Sequence, residues 1–216
     1  MTEMVYGSMP VRVTEPVLPR WWRTLDKWTL AAVLILFGIG ILLGLAASVP
    51  LATRNGLDPF HYVQRQAFFG ALALVAMLGT SMLPPEMVRR LGILGFAFSF
   101  VALILLPVFG TDFGKGAVRW FSFGFASVQP SEFLKPGFII LSAWLMAAAQ
   151  EVGGPPGRLI SFLIAVVVVF FLAIQPDFGQ SMLVVFGWCV VYFVAGASMV
   201  VILSIVGAIG AVGFGL

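Results

Sequence analysis

Residues Trp28–Val49 read WTLAAVLILFGIGILLGLAASV, an apolar run without a charged side chain. An α-helix rises 1.5 Å per residue, so a run of this length can cross a hydrocarbon core of about 30 Å. Further runs follow at about 66–83, 91–108, 132–149, 158–174, 178–196 and 199–216. The sequence therefore predicts an all-α polytopic membrane protein with about seven visible transmembrane helices.

The overall composition indicates the same class of protein. Of the 216 residues, 61% are hydrophobic and 10% are charged, and the mean hydropathy is +1.08, which excludes a soluble domain. The formal charge of +3 comes from cations scattered near span ends, so we expect no nucleic acid partner. Cys189 is the one cysteine, which excludes a disulfide framework. His61 is predicted to be a surface residue in a loop.

The distribution of lysine and arginine predicts the orientation, because positive charge is retained on the cytoplasmic side. Cations of the tail and even-numbered loops outnumber those of the odd-numbered loops by seven to four. The first group is Arg12, Arg20, Arg23, Lys27, Arg89, Arg90 and Arg158, and the second is Arg54, Arg65, Lys115 and Arg119. We therefore expect a cytoplasmic N-terminus, with residues 1–27 as an extended cytoplasmic tail.

The longest polar connection runs from about Gly110 to Ser131, on the predicted outer face. Phe121, Phe123 and Phe125 alternate there with small residues, a period of two that favours an extended or re-entrant stretch over a helix. Non-helical backbone at membrane depth needs protein or water to satisfy its hydrogen bonds. We therefore predict a cavity on the outer face.

The fourth span opens with QPSEFLKP, residues 129–136. Gln129 is the expected N-cap, with Pro130 first in the helix and Glu132 third, where a carboxylate meets free N–H groups. Glu132 and Lys135 are three residues apart and can pair. A charge at mid-depth costs about 2.5–3.5 kcal/mol, so Lys135 should face protein, water or an anionic ligand. Pro136 should kink the helix.

The sixth span opens with a related segment, QPDFGQS at residues 175–181. We expect Pro176 at the first helical position, followed by the acid Asp177. The loop count places this segment outside as well, so Arg119, the charged pair and Asp177 could converge on one outward cavity. The alternative is that each Gln-Pro-acid segment only marks the start of a helix.

These segments resemble the SEDS family of bacterial cell-wall proteins, and its division members more than its elongation members. The resemblance is carried by GAVRW at 116–120, QPSEF at 129–133 with Lys135, and QPDFG at 175–179. Arg65-Gln66, Arg89-Arg90 and the tryptophan-rich start before Asp26 add to it. It covers essentially the whole chain.

The resemblance implies a peptidoglycan glycosyltransferase of the bacterial cytoplasmic (inner) membrane that polymerises lipid II at the division septum. It implies as partners membrane lipids, a crosslinking class B penicillin-binding protein and other divisome membrane proteins. A diphosphate leaving group needs positive charge, and the attacking hydroxyl needs a base. The implied substrate-binding residues are Arg119, Gln129, Ser131, Glu132, Lys135 and Asp177. Arg119 and Lys135 suit the diphosphate, Glu132 would orient Lys135 or the acceptor, and Asp177 would support the cavity wall.

No cofactor or protein metal site is evident, although Mg²⁺ or Mn²⁺ could accompany the diphosphate. The resemblance implies about ten spans, with an essential aspartate in an outer loop after the seventh. The last apolar run reaches Leu216 without a charged flank. We therefore expect residues 28–216 to be the N-terminal part of a single transmembrane domain, a fragment without the catalytic residue.

Two other functions stay open. One is a lipid II flippase or transporter, which inverted repeats with broken helices would favour. The two Gln-Pro-acid segments are predicted to face the same side, against such an inversion. The other is a non-catalytic divisome scaffold that docks partners through its outer spans and its tail.

Overall fold

The protein is described here by a computed structural model that covers residues 17–111, 118–124 and 126–196, together with residues 200, 204 and 207. The helices in these residues are α1 Val17–Thr24, α2 Lys27–Arg54, α3 His61–Ser81, α4 Pro85–Phe109, α5 Pro130–Ala148, α6 Gly157–Ile174 and α7 Phe178–Val194. Two short antiparallel strands, β1 Phe121–Ser122 and β2 Ser127–Val128, lie between α4 and α5. The expected all-α class is confirmed.

The first six predicted spans are helices, and some begin earlier than their apolar runs. α3 begins at His61 and not near residue 66, and α4 begins at Pro85 and not near residue 91. Hydropathy does not detect these starts because a first helical turn readily holds proline and polar residues. The prediction that His61 lies in a loop is therefore wrong. The predicted seventh span, 199–216, lies outside the described residues except for 200, 204 and 207.

Three of the described helices, α2, α4 and α6, are long and apolar enough to cross a membrane by length and composition. α7 is a shorter apolar helix. Large apolar side chains remain exposed on these helices, among them Phe98 at 78% and Met182 at 77%. Such faces suit contact with lipid, where apolar surface carries no penalty.

Val17–Thr24 forms a helix, so the prediction that the whole tail is extended is wrong. Pro19 is tolerated because it lies in the first turn, where the N–H groups have no partner within the helix. The indole N–H of Trp21 donates to Ser81 Oγ at 2.9 Å, which ties this helix to the end of α3.

Asp26 is the N-cap of α2 and accepts two hydrogen bonds. Its carboxylate accepts one hydrogen bond from the Thr29 hydroxyl at 2.5 Å and another from the Trp28 N–H at 3.0 Å. The Thr29 hydroxyl and then the Trp28 N–H hold the pKa of Asp26 below its usual value. The cap therefore fixes the point at which α2 begins.

The chain divides into two compact units, Met1–Leu83 and Pro84–Leu216. In the first unit α2 packs on α3, and the Gln66 side chain donates to the Gly40 carbonyl at 3.1 Å. In the second unit α5 is the central helix and contacts α4, α6 and α7. The buried side chains of α5 that form its core are Leu134, Phe138, Leu141, Leu145 and Met146.

The backbones of α4 and α5 approach closely at Gly137. A Cβ atom there would lie 2.6 Å from the Gly92 carbonyl oxygen and 2.8 Å from the Phe96 backbone nitrogen. Both distances are shorter than a van der Waals contact, so only glycine fits between the helices. Small residues permit this kind of helix contact in membranes.

The second unit has two distinct ends. One end, which we call the polar end, joins the first turn of α5, the turn between α6 and α7, and Arg119. At the other end the Arg89 guanidinium lies 5.8 Å from the ring centroid of Trp144, and Arg158 donates to the Ala195 carbonyl at 3.3 Å. Both Gln-Pro-acid segments therefore lie at the same end of this unit.

Candidate functional site

A charged pair opens α5, as the sequence predicts. Glu132 is the third residue of the helix, and its Oε2 lies 2.7 Å from the Lys135 ammonium. Its other oxygen, Oε1, accepts the Gln180 side-chain amide of α7 at 2.5 Å. One carboxylate therefore joins α5 to α7 and holds Lys135 at the polar end. The side chain of Lys135 is 24% exposed.

The N-cap residues of α5 and α7 bond to each other. Gln129 occupies the predicted N-cap position, but its side chain makes no cap hydrogen bond. Its amide donates instead to Asp177 Oδ2 at 3.0 Å. The Asp177 main-chain carbonyl accepts the Ser181 N–H at 3.1 Å and hydroxyl at 3.0 Å. The starts of the two helices are thus fixed side by side.

The second Gln-Pro-acid segment opens α7, as predicted, but its proline lies in the turn before the helix. α6 ends at Ile174 and α7 begins at Phe178, so residues 175–177 connect two neighbouring helices. The prediction that Pro176 is the first helical residue is therefore wrong. The acid is the N-cap of α7, outside its first turn. Residues 175–177 are therefore the whole connection between α6 and α7.

Arg119 reaches this turn with two hydrogen bonds. Its Nε donates to the Gln175 carbonyl at 3.2 Å, and its Nη2 donates to the Pro176 carbonyl at 2.7 Å. Gln175 is the C-cap of α6, so the guanidinium also neutralises the negative end of that helix. A guanidinium has five N–H donors, and it therefore keeps donors for an anion.

Ser131 stands apart from the other predicted site residues. It belongs to the first turn of α5 but is only 2% exposed, and its hydroxyl has no hydrogen-bond partner among the described residues. Arg119, Gln129, Glu132, Lys135 and Asp177 are brought together at the polar end. A binding role for each of these residues stays a prediction.

Two glutamines of this end were not predicted as site residues. Gln180 bonds to Glu132, and Gln175 makes a buried hydrogen bond to α4. Both lie in the QPDFGQS segment. The sequence feature that could have identified them is a primary amide at the edge of an apolar helix. A polar side chain there needs a partner within the protein.

Residues 120–122 and 127–128 of the connection before α5 are extended, as its alternating pattern predicts. Trp120 pairs with Thr111 in a β-bridge, and β1 pairs Phe121 with Val128. Phe125 lies outside the described residues, as do Gly116 and Ala117 of the first motif. The hairpin places Arg119 beside the α6–α7 turn.

These features define a polytopic membrane protein with a cluster of charged and amide side chains at one end of a helical bundle. A family model described as "Cell cycle protein" (FTSW_RODA_SPOVE) matches residues 27–214. The chain belongs to this family of FtsW, RodA and SpoVE proteins.

Curated relatives support this membership. A protein of Caulobacter vibrioides named probable peptidoglycan glycosyltransferase FtsW is 38% identical over 205 residues, which are 94% of this chain and 52% of the relative. A protein of Alkalilimnicola ehrlichii with the same name is 33% identical and matches 82% of this chain and 45% of the relative. The chain thus spans about half the length of these relatives.

Solved structures share the fold. The rod shape determining protein RodA of Thermus thermophilus aligns with a TM-score of 0.72 at 26% identity, over 88% of this chain and 60% of RodA. A chain from a peptidoglycan synthase complex, solved to show how polymerization and crosslinking are coordinated, aligns with a TM-score of 0.66 at 25% identity. That alignment covers 86% of this chain and 52% of the other. Both likenesses extend over most of the described helices.

Proposed function

We propose that this chain forms the substrate-binding part of a peptidoglycan glycosyltransferase that polymerises lipid II. The observation that carries the proposal is the 38% identity, over 94% of the chain, to a relative named for that activity. The polar end supplies the positive charge that a departing diphosphate needs, since Lys135 and Arg119 both lie at this end. The proposal concerns the whole protein, of which the relatives indicate that this chain spans about half.

The reaction joins two sugars and releases a lipid diphosphate. The 4-hydroxyl of the acceptor attacks the anomeric carbon of the donor, the bond to the diphosphate breaks, and a base takes the hydroxyl proton. The Lys135 ammonium would release the Glu132 carboxylate and bind a phosphate oxygen instead. Arg119 would donate its remaining N–H groups to the diphosphate. Gln129 and Asp177 would hold the wall of the site, with Ser131 behind it. In the full-length protein, the base would lie in the region that corresponds to the part of the relatives that this chain does not span.

A divalent cation would enter with the diphosphate. Within residues 17–111, 118–124 and 126–196, no group of three His, Cys, Asp or Glu side chains could hold a metal ion. Glu132 and Asp177 are already bonded to partners in the protein. The phosphate oxygens would supply ligands to Mg²⁺ or Mn²⁺, as substrate phosphates commonly do for Mg²⁺.

The same proposal sets the location and the partners. A family described as cell cycle proteins, with relatives named FtsW, favours the division septum of the bacterial inner membrane. The likeness to a chain of a complex that coordinates polymerization with crosslinking favours a class B penicillin-binding protein as partner. The other proposed partners are lipid II, membrane lipids and further divisome membrane proteins.

The direct test uses the full-length protein, purified and returned to lipid vesicles with lipid II. We expect glycan strands to form, as measured by gel separation of the labelled product. Movement of lipid II across the bilayer without strands would instead indicate a flippase, and neither activity would indicate a scaffold. The flippase has no support from an inverted repeat, because both Gln-Pro-acid segments lie at the same end.

Substituting Arg119 tests how far its role is structural. Arg119→Lys keeps the charge, but an ammonium group cannot reproduce the fork that spans two carbonyls. A hydrogen bond to a charged group contributes about 1.5–3 kcal/mol, so we expect a lower unfolding temperature and slower polymerisation together. Both are measured on the full-length protein, with Arg90→Lys as the control. Unchanged stability with lost polymerisation would instead assign Arg119 to the substrate alone.

A further inference from the structure

A proline in α4 leaves one backbone carbonyl without its usual partner. In an α-helix the carbonyl of Leu103 would accept the N–H of residue 107, but that residue is Pro107, which has none. Leu103 is 1% exposed, so water does not reach this position. An unpaired carbonyl costs several kcal/mol in hydrocarbon, and membrane proteins therefore satisfy it internally.

The side chain of Gln175 supplies the missing donor. Its Nε2 donates to the Leu103 carbonyl at 3.0 Å, across 72 residues of sequence. Gln175 is 7% exposed, and the hydrogen bond is buried. The primary amide thus takes the place of the N–H that proline lacks, and it fastens the C-terminal end of α6 to α4.

The same residue also fixes the polar end through its main chain. The Gln175 carbonyl accepts Arg119 Nε, and Asp177, two residues later, accepts the Gln129 amide. Because residues 175–177 are the whole connection between α6 and α7, a shift of Gln175 would move both contacts. The position of the site residues therefore depends on a hydrogen bond within the bundle.

We propose that Gln175 is a positioning residue, whose side chain replaces the backbone donor missing at Pro107 and thereby sets the turn that meets Arg119 and Gln129. It does not touch the substrate. The effect on the reaction rests on the proposed function, whereas the pairing with Leu103 does not. The two can therefore be tested with separate measurements.

The test is a double-mutant cycle in the full-length protein. Gln175→Met keeps the length of the side chain and removes the donor, and Pro107→Ala returns a backbone N–H to the Leu103 carbonyl. We expect Gln175→Met to lower the unfolding temperature of the protein that keeps Pro107. In the protein that carries Pro107→Ala, the same change should have little effect on the unfolding temperature. If Gln175→Met alone fails to fold, recovery of folded protein in the double variant is the expected result. Equal losses in both backgrounds would overturn the pairing.

Polymerisation provides the second measurement. A displaced site lowers the rate even in a folded protein, so we expect the double variant to be stable yet about 10- to 100-fold slower at saturating lipid II. Gln150→Met, which removes an exposed amide at the other end of the unit, is the control and should match the unmodified protein. A double variant with the rate of the unmodified protein would show that the hydrogen bond from Gln175 does not position the site. Absence of polymer from the unmodified protein would refute the proposed function, while the stability cycle would still decide the pairing.

Discussion

Replacing Lys135 with methionine is expected to slow glycan polymerisation about 100- to 1000-fold, the loss typical of removing one preorganised electrostatic contact to a transition state. Methionine keeps an unbranched side chain of similar size and removes only the charge. The ammonium lies 2.7 Å from Glu132, and the carboxylate would keep its hydrogen bond from Gln180. The protein should therefore remain folded. The rate is measured with purified full-length protein and lipid II.

Two further variants make this result specific. Arg90→Gln removes an exposed cation near the start of α4, away from the polar end, and should leave the rate unchanged. Glu132→Gln removes the anion that holds Lys135, so we expect a smaller loss than from Lys135→Met. If Lys135→Met polymerised lipid II at the normal rate, the charged pair would be a structural contact and the assignment of Lys135 to the diphosphate would be wrong.

Replacing Gly137 with leucine is expected to disrupt the second unit. The first atom of any side chain there would lie 2.6 Å from the Gly92 carbonyl oxygen, so α4 and α5 would have to separate. Overpacking a core costs typically about 1–3 kcal/mol, and backbone on both sides of this contact leaves little room to adjust. We expect a loss of folded protein, measured by size-exclusion chromatography in detergent and by thermal unfolding.

Gly95→Leu is the matched control for this substitution. Gly95 lies in α4, the helix that Gly137 of α5 contacts, but a Cβ atom at residue 95 would meet no other atom within 4 Å. The same glycine-to-leucine change should therefore have little effect. Similar losses at the two positions would mean that the helical glycines matter for a reason other than the contact between α4 and α5.

The helices could be predicted because each apolar run is a local property of the sequence. The polar starts of α3 and α4, at His61 and Pro85, were placed too late because hydropathy does not detect a helical turn made of polar residues. The charged pair at Glu132 and Lys135 was predicted correctly for a similar local reason, since its spacing places both side chains on one face of a helix.

The partners of Arg119 and Gln175 could not be predicted in this way. Arg119 bonds to carbonyls 56 and 57 residues away, and the Gln175 amide bonds to a carbonyl 72 residues away. A sequence motif shows that an arginine or a glutamine is present, but its partner depends on how helices pack. Counting the spans predicts that the site residues lie at one end of the bundle. The partner of each hydrogen bond could be found only in the structure.

The central helix of the second unit has a consequence for how the protein is made. α5 carries Glu132 and Lys135 in its first turns, and charged side chains make insertion of a helix into a bilayer less favourable. α4 precedes it along the chain and is long and apolar enough to cross a membrane. During translation, α5 would therefore leave the translocon less readily on its own than against α4, where Gly137 lets the two backbones touch. Close packing and membrane insertion would then be a single event for this pair of helices.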